Sequence, residues 1–437
     1  MPQHFLERAV TNELLRWKNK ANRQPLLISG ARQVGKTHSV LSFGKEHYKT
    51  TAYFNMEDSR DIQAVFERDL DPVRIVRELS ALSGTLILKG DTLIIFDEAQ
   101  ACERALSSLK YFAEHASGYH VIATGSLLGI SLNRKAYSFP VGKVDMLTMH
   151  PLSFEEFLWA TGNRELSALI LESYATFAPL SPHNKALELY KTYLVVGGMP
   201  HAVAEYAQSG DFDFVTAIQK SLNDAYIADM AKYATPQETT RIMAAWASVP
   251  AQLAKDNHKF QYRVVKSGAR AYEYETSLQW LSQAGIITRC VRVREASFPL
   301  TASIEPETFK VYMMDTGLLC SKFSVNAAVV LNEDPRLDRF KGALAENYVC
   351  QALTINGIVP CYWESAGKAE LDFLFQDTLG NVIPLEVKAA DNVRAKSLLY
   401  FVEKYHPPYS IRVSARNFGF ENQIQSVPLY AVYCIRA

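Results

Sequence analysis

The sequence predicts an α/β fold whose first part is a parallel sheet, covered by helices on both faces and carrying a phosphate-binding loop. Three observations predict it. Short apolar strands at Leu26–Ser29, Thr51–Asn55, Leu93–Asp97 and His120–Thr124 alternate with helical patterns over residues 25 to 150. The first strand runs into Gly30-Ala31-Arg32-Gln33-Val34-Gly35-Lys36-Thr37-His38, a G-x-x-x-x-G-K-T loop with the strand and helix flanks that such a motif needs. The third strand, Thr92-Leu93-Ile94-Ile95-Phe96-Asp97-Glu98, is an unbroken apolar run ending in two acids, as expected of a central strand buried on both faces.

Each residue type in the loop has a physical task. Glycines at 30 and 35 let the backbone curl so that successive N–H groups face an anion. The helix that begins near Lys36 adds the positive end of its dipole. Lys36 reaches the β- and γ-phosphates of ATP, and the Thr37 hydroxyl is a ligand for Mg²⁺. Carboxylates at the C-terminal end of a parallel strand fall where ligands bind in open α/β sheets. Asp97 is therefore the candidate for the metal shell, and Glu98 the candidate to orient or deprotonate a water. The next strand ends in Thr124-Gly125-Ser126, where Thr124 or Ser126 is placed to sense a γ-phosphate.

The flanking elements follow in order. Phe5, Leu6, Val10, Leu14 and Trp17 form one helical stripe before the first strand, completing a segment of residues 1–150. Ser153 and Glu156 are a capping box that starts a mostly helical region over 151–235, interrupted at Gly197-Gly198-Met199-Pro200 and expected to form a helical lid. Residues 236–330 read as short helices, one of them carrying Leu278 and Leu281, followed by an extended stretch from Ile286 to Val293. That succession suits a winged-helix-like domain, with Arg289, Arg292 and Arg294 on its wing. Residues 331–437 form a second α/β pattern. It has a helix over Gly342–Leu353, strands at Glu370–Phe375 and Val382–Lys388, a helix over Asn392–Lys404, and strands near Tyr409–Val413 and Tyr430–Ile435.

That last segment holds a second set of carboxylates. Side chains alternate along a strand, so Glu386 and Lys388 share a face. Asp372, on the preceding strand of an expected hairpin, meets them across the ladder, and Glu346 comes from the helix before. Asp372 and Glu386 are candidate metal ligands, and Lys388 can polarise a water or a phosphate. The alternative is a solvated strand face.

Composition narrows the classes. A hydrophobic content of 48% with 21% charged residues excludes a disordered chain. Formal net charge is zero, so any nucleic-acid surface has to be local. Cysteines at 102, 290, 320, 350, 361 and 434 have no metal-binding spacing and read as reduced thiols. With no signal-peptide pattern and no long apolar run, a cytoplasmic location without membrane contact is expected.

Taken together, these motifs resemble a family of bacterial and archaeal AAA-type ATPases that pair an N-terminal P-loop ATPase domain with a C-terminal domain of unknown function. The segments that carry the resemblance include Phe96-Asp97-Glu98-Ala99-Gln100, Pro151-Leu152-Ser153-Phe154-Glu155-Glu156-Phe157, Gly197-Gly198-Met199-Pro200, Met314-Asp315-Thr316-Gly317 and Lys341-Gly342-Ala343-Leu344-Ala345-Glu346-Asn347. The order Asp372…Glu386-x-Lys388 is similar to that of restriction-endonuclease-like nucleases. The resemblance implies ATP and Mg²⁺ as cofactors, and nucleic acid as partner with DNA ahead of RNA. It also implies a homo-oligomer. Two alternatives follow from the same residues: an ATP-gated, metal-dependent nuclease using Glu346, Asp372, Glu386 and Lys388, or a nucleotide-dependent module that binds a protein partner. One departure stands out. Where the family has a Leu-x-Gly-Arg run, this chain has Phe139-Pro140-Val141-Gly142-Lys143-Val144, leaving Lys143 or Arg134 to act as the trans-acting finger.

Overall fold

The computed structural model describes residues 6–126, 142–255, 258–332, 334, 336, 338–365, 367, 369–389 and 396–437. The chain divides into two compact units, Arg8–His150 with Gln283–Gly285, and the remainder.

The first unit opens with helix α1 (Val10–Lys18) and alternates thereafter: β1 (Leu26–Ser29), α2 (Lys36–His47), β2 (Thr50–Asn55), α3 (Arg60–Val65), α4 (Pro72–Ser83), β3 (Thr92–Asp97), α5 (Glu103–His115), β4 (His120–Thr124) and β5 (Asp145–Thr148). The five strands form one sheet in the order β2-β3-β4-β1-β5, with every pairing parallel. The parallel arrangement explains the apolar runs, since every residue of β3 and β4 is buried. Phe54, Phe96 and Phe112 pack with Leu79 and Leu109 in the core on one face. Local chemistry sets the helix ends. Asp71 caps α4 by accepting from Val73 and Arg74 N–H, Pro72 fills the first turn, and Gly84 ends the helix in the left-handed region.

The second unit begins with helices α6 (Phe154–Ala160), α7 (Arg164–Thr176), α8 (His183–Val196), α9 (Pro200–Ser209), α10 (Phe212–Tyr233), α11 (Pro236–Leu253), α12 (Tyr262–Val265) and α13 (Ala271–Gln283). The expected capping box at Ser153 and Glu156 is formed, with both of its hydrogen bonds. Then come β6 (Ile287–Val293), β7 (Ile304–Met313), α14 (Thr316–Phe323), α15 (Ala327–Leu331), α16 (Asp338–Ile355), β8 (Cys361–Glu364), β9 (Glu370–Gln376), β10 (Val382–Val387), α17 (Lys396–Tyr405), β11 (Ser410–Ser414), β12 (Gly419–Glu421) and β13 (Ile424–Pro428). One sheet of eight strands runs β12-β13-β11-β10-β9-β8-β6-β7. Strand β6, within the stretch read from the sequence as a wing, pairs antiparallel with β7, and the two form the end of this sheet, joined to it through the parallel pairing of β6 with β8.

One element differs in type. The expected strand at Tyr430–Ile435 is a short 3₁₀ helix, Leu429–Cys434, with all six residues buried. A continuous apolar run has no period that separates a strand from a wholly buried helical turn. Among the described residues, no helix is long and apolar enough to cross a membrane.

Candidate functional site

The loop from Gly30 to Thr37 joins β1 to α2, and its backbone explains its residues. Gly30 has φ 142°, and a side chain there would collide with the carbonyl of Met149. Gly35 sits at φ 94° directly before α2. Gln33, at φ 63°, adds a second kind of turn that non-glycine residues seldom make. Lys36 is 7% exposed, and its ammonium donates to the carbonyls of Gly30 (2.9 Å) and Ala31 (2.8 Å). Burial lowers its pKa to about 8, opposed by the charges of Glu98 and Asp97. Arg32, Gln33 and His38 face solvent, whereas Val34 is buried.

A residue outside the motif braces this loop. Arg8, just before α1, donates to the carbonyl of Val34 at 2.8 Å and to that of His150 at 2.8 Å. A lone arginine 26 positions upstream gives no sequence signal of that role.

Asp97, at the end of β3 and 4% exposed, gathers three hydroxyls. Its Oδ2 accepts from Thr37 Oγ1 at 2.8 Å and from Tyr53 OH at 2.8 Å, and its Oδ1 accepts from Thr124 Oγ1. Tyr53 was not singled out in the sequence. It lies on β2 in register with Ile95, two positions before the Asn55–Asp97 pair, so the pleat puts it on the same face as the carboxylate. Burial, then the bond to Asp97, raises the Tyr53 phenol well above its usual value, so it stays a donor.

Glu98 follows in the left-handed region, at φ 48° and ψ 43°. A glutamate held there is the kind of backbone outlier that concentrates at functional sites. Its carboxylate accepts from Gln100 Nε2 and interacts electrostatically with Lys36. Ser126 is buried near the end of β4. Of the two finger candidates, Lys143 pairs with Glu114 at 3.1 Å, and Arg134 lies outside the described residues.

Thr37 and Asp97 supply hard oxygen donors at the mouth of the loop, a set that suits Mg²⁺ held jointly with phosphates.

In the second unit, Glu346, Asp372, Glu386 and Lys388 do come together. Lys388 Nζ lies 2.6 Å from Glu386 Oε1, as the shared strand face requires. Glu386 Oε2 also accepts from Leu398 N–H at 3.3 Å, and Asp372 Oδ2 accepts from Val387 N–H at 2.8 Å. Two further residues enter that no motif singles out. The ammonium of Lys310, on β7 and 1% exposed, lies 2.8 Å from Glu370 Oε1 and 3.7 Å from Glu346 Oε2. His258 Nδ1 is 2.9 Å from Glu346 Oε2, which also accepts from Tyr312 OH at 2.8 Å. Burial opposes ionisation of Glu346, but Lys310 and His258 hold its pKa down at about 2. Burial and the Glu346 charge push Asp372 up to about 7. Among the described residues, no three His, Cys, Asp or Glu side chains are grouped as metal ligands.

Two of the three wing arginines are engaged within the unit. Arg289 pairs with Glu275 and stacks on Phe309, and Arg292 pairs with Glu305 and Glu364.

Residues 22–158 match the model of an AAA domain. Residues 187–328 and 341–432 each match a domain of unknown function, DUF8612 and DUF4143 respectively. No curated protein matches the sequence. Among solved structures, the chain is similar to the Walker-type ATPase PABY2304 of Pyrococcus abyssi, with 16% identity, 73% of this chain and 96% of that one covered, and a TM-score of 0.47. It is also similar to the Aeropyrum pernix ORC2 protein, with 13% identity, 74% and 91% covered, and a TM-score of 0.36. For DnaA from Aquifex aeolicus the values are 13% identity, 65% and 92% covered, and a TM-score of 0.28.

Proposed function

We propose that the protein is a Mg²⁺-dependent ATPase that uses nucleotide binding as a switch. The observation that carries this reading is the 2.8 Å hydrogen bond from Thr37 to Asp97. It unites the last residue of the glycine loop with the acid of β3, the two residues that would hold a Mg²⁺ ion beside bound phosphates. Mg²⁺ held there supplies charge neutralisation of the phosphates.

The chain's own residues do the rest. Loop N–H groups and the Lys36 ammonium bind the phosphates, Thr37 and Asp97 hold the metal, and Glu98 orients a water and takes its proton. Ser126 and Thr124 lie at the end of β4, within the same end of the sheet. DNA is the partner to test first, and a neighbouring subunit is the source to test for any missing finger.

The test is steady-state ATP hydrolysis by wild type and Glu98→Gln, with and without single-stranded, duplex and branched DNA. Loss of a general base lowers turnover by roughly a hundredfold or more while nucleotide still binds. Equal rates in the two proteins would remove Glu98 from the chemistry.

A second reading has its own observation. Lys310 places an internal cation among the carboxylates of the C-terminal segment, which favours a scaffold that docks a partner over a metal-dependent nuclease. In that reading ATP is held and rarely hydrolysed, and no DNA stimulates turnover.

A further inference from the structure

A carboxylate offers about four lone-pair positions, two on each oxygen. Asp97 Oδ2 uses both of its own on the hydroxyls of Thr37 and Tyr53, each at 2.8 Å, while Oδ1 holds Thr124. A Mg²⁺ ion held there, directly or through a water of its shell, would need one of those positions. One position stays open on Oδ1, but a metal held jointly by Thr37 and Oδ2, the oxygen that Thr37 meets, would need one of the two hydroxyls there to yield.

The three donors differ in their freedom to move. Thr124 is fully buried at the end of a central strand. Thr37 is fixed in the first turn of α2 and is itself a metal ligand in the reading above, on which this inference rests. Tyr53 is 38% exposed on β2, the edge strand of the sheet, and its ring swings about a single side-chain axis without disturbing the backbone ladder.

We infer that Tyr53 is a positioning residue that holds the metal-binding oxygen of Asp97 closed in the absence of nucleotide and is displaced by the water shell of the incoming Mg²⁺. Its phenol occupies Asp97 Oδ2 while the metal is away. The consequence is selective: Tyr53 opposes entry of the metal and leaves the contacts of the phosphates with the loop unaffected.

The test compares wild type with Tyr53→Phe, which keeps the ring on the strand and removes only the competing hydroxyl. Binding of a fluorescent ATP analogue is measured in EDTA and across a Mg²⁺ titration, with thermal melting to verify folding. The expected result is equal affinity in EDTA and a Mg²⁺ half-saturation point roughly two- to tenfold lower in the variant, the value of one competing hydrogen bond. A purely structural role would shift affinity equally with and without metal, and that result overturns the inference. So does an unchanged or weaker Mg²⁺ response, which would make the hydroxyl a supporter of the metal. If wild type binds the analogue in neither condition, the ATPase reading itself fails, and the inference falls with it.

Discussion

At the scale of single residues, Lys36 shows how burial tunes a phosphate-binding cation. With its ammonium enclosed by the carbonyls of Gly30 and Ala31, desolvation lowers its pKa to about 8 before any phosphate is present. Phosphate binding needs the charged form and stabilises it, so binding takes up a proton wherever the free lysine is neutral. The sign follows directly. Affinity is insensitive to this group below about pH 8 and falls as pH rises beyond it, by up to about tenfold per pH unit. A titration of nucleotide affinity from pH 7 to pH 9.5 at fixed free Mg²⁺ checks this; Lys36→Ala should bind weakly with no such slope. A wild-type affinity that stays level throughout would show that the lysine is already charged over the whole range. The glycines, Lys36, Thr37 and Asp97 were legible because their order along the chain is itself the signal. Tyr53 and Arg8 were not, because their roles come from strand register and from a side chain reaching back 26 positions.

At the scale of elements, three distant segments of the second unit are tied by one buried carboxylate. Asp315 caps α14 by accepting from Leu318 N–H at 2.9 Å, and it also accepts from Gly198 N–H at 2.6 Å. Gly198 O in turn accepts from Leu152 N–H at 2.6 Å. A side chain at Gly197 would strike Asp315, and one at Gly198 would strike the Leu152 backbone, which accounts for the glycine pair. The sequence marked these as separate motifs, and only the fold shows them to be one contact. Burial raises the Asp315 pKa to about 6, with the backbone N–H groups opposing. The folded state therefore holds a proton more tightly than the unfolded chain. The resulting stabilisation is complete below about pH 4 and is lost as pH rises through about 6, by roughly 3 kcal/mol at most. Denaturant unfolding at pH 4, 5, 6 and 7 tests this against Asp315→Asn, which cannot titrate. The advantage of wild type over the variant should shrink as pH rises, and a constant difference would place the pH dependence elsewhere. Strand positions were read well where apolar runs met turn residues, as at β1 and β4. The 3₁₀ helix Leu429–Cys434 was misread because a run buried on every side has no period to read.

At the scale of the whole molecule, the decisive quantity is where a divalent cation can be bound. Formal net charge is zero, and the two groups of acids are neutralised in opposite ways. Around Asp97 the hydrogen-bond partners are the neutral hydroxyls of Thr37, Tyr53 and Thr124. Around Glu346 the partners are charged or proton-bearing. Lys310 sits against Glu346 and Glu370 and Lys388 against Glu386, while burial and the Glu346 charge push Asp372 up to about 7. The three charges of Glu346, Glu370 and Glu386 face two buried or half-buried ammonium groups and His258, leaving little net attraction for a metal. The expected stoichiometry is therefore one Mn²⁺ per chain in the presence of nucleotide, measured by electron paramagnetic resonance. Asp97→Asn should abolish that signal, and Lys310→Met should create a second site by leaving the acids without their internal cation. A second Mn²⁺ on the wild-type chain that survives Asp97→Asn would mean that the metal displaces Lys310. The acid cluster would then be a metal centre, and Mn²⁺-dependent cleavage of DNA by the wild-type chain, lost in Asp372→Ala and Lys388→Ala, would become the result to expect.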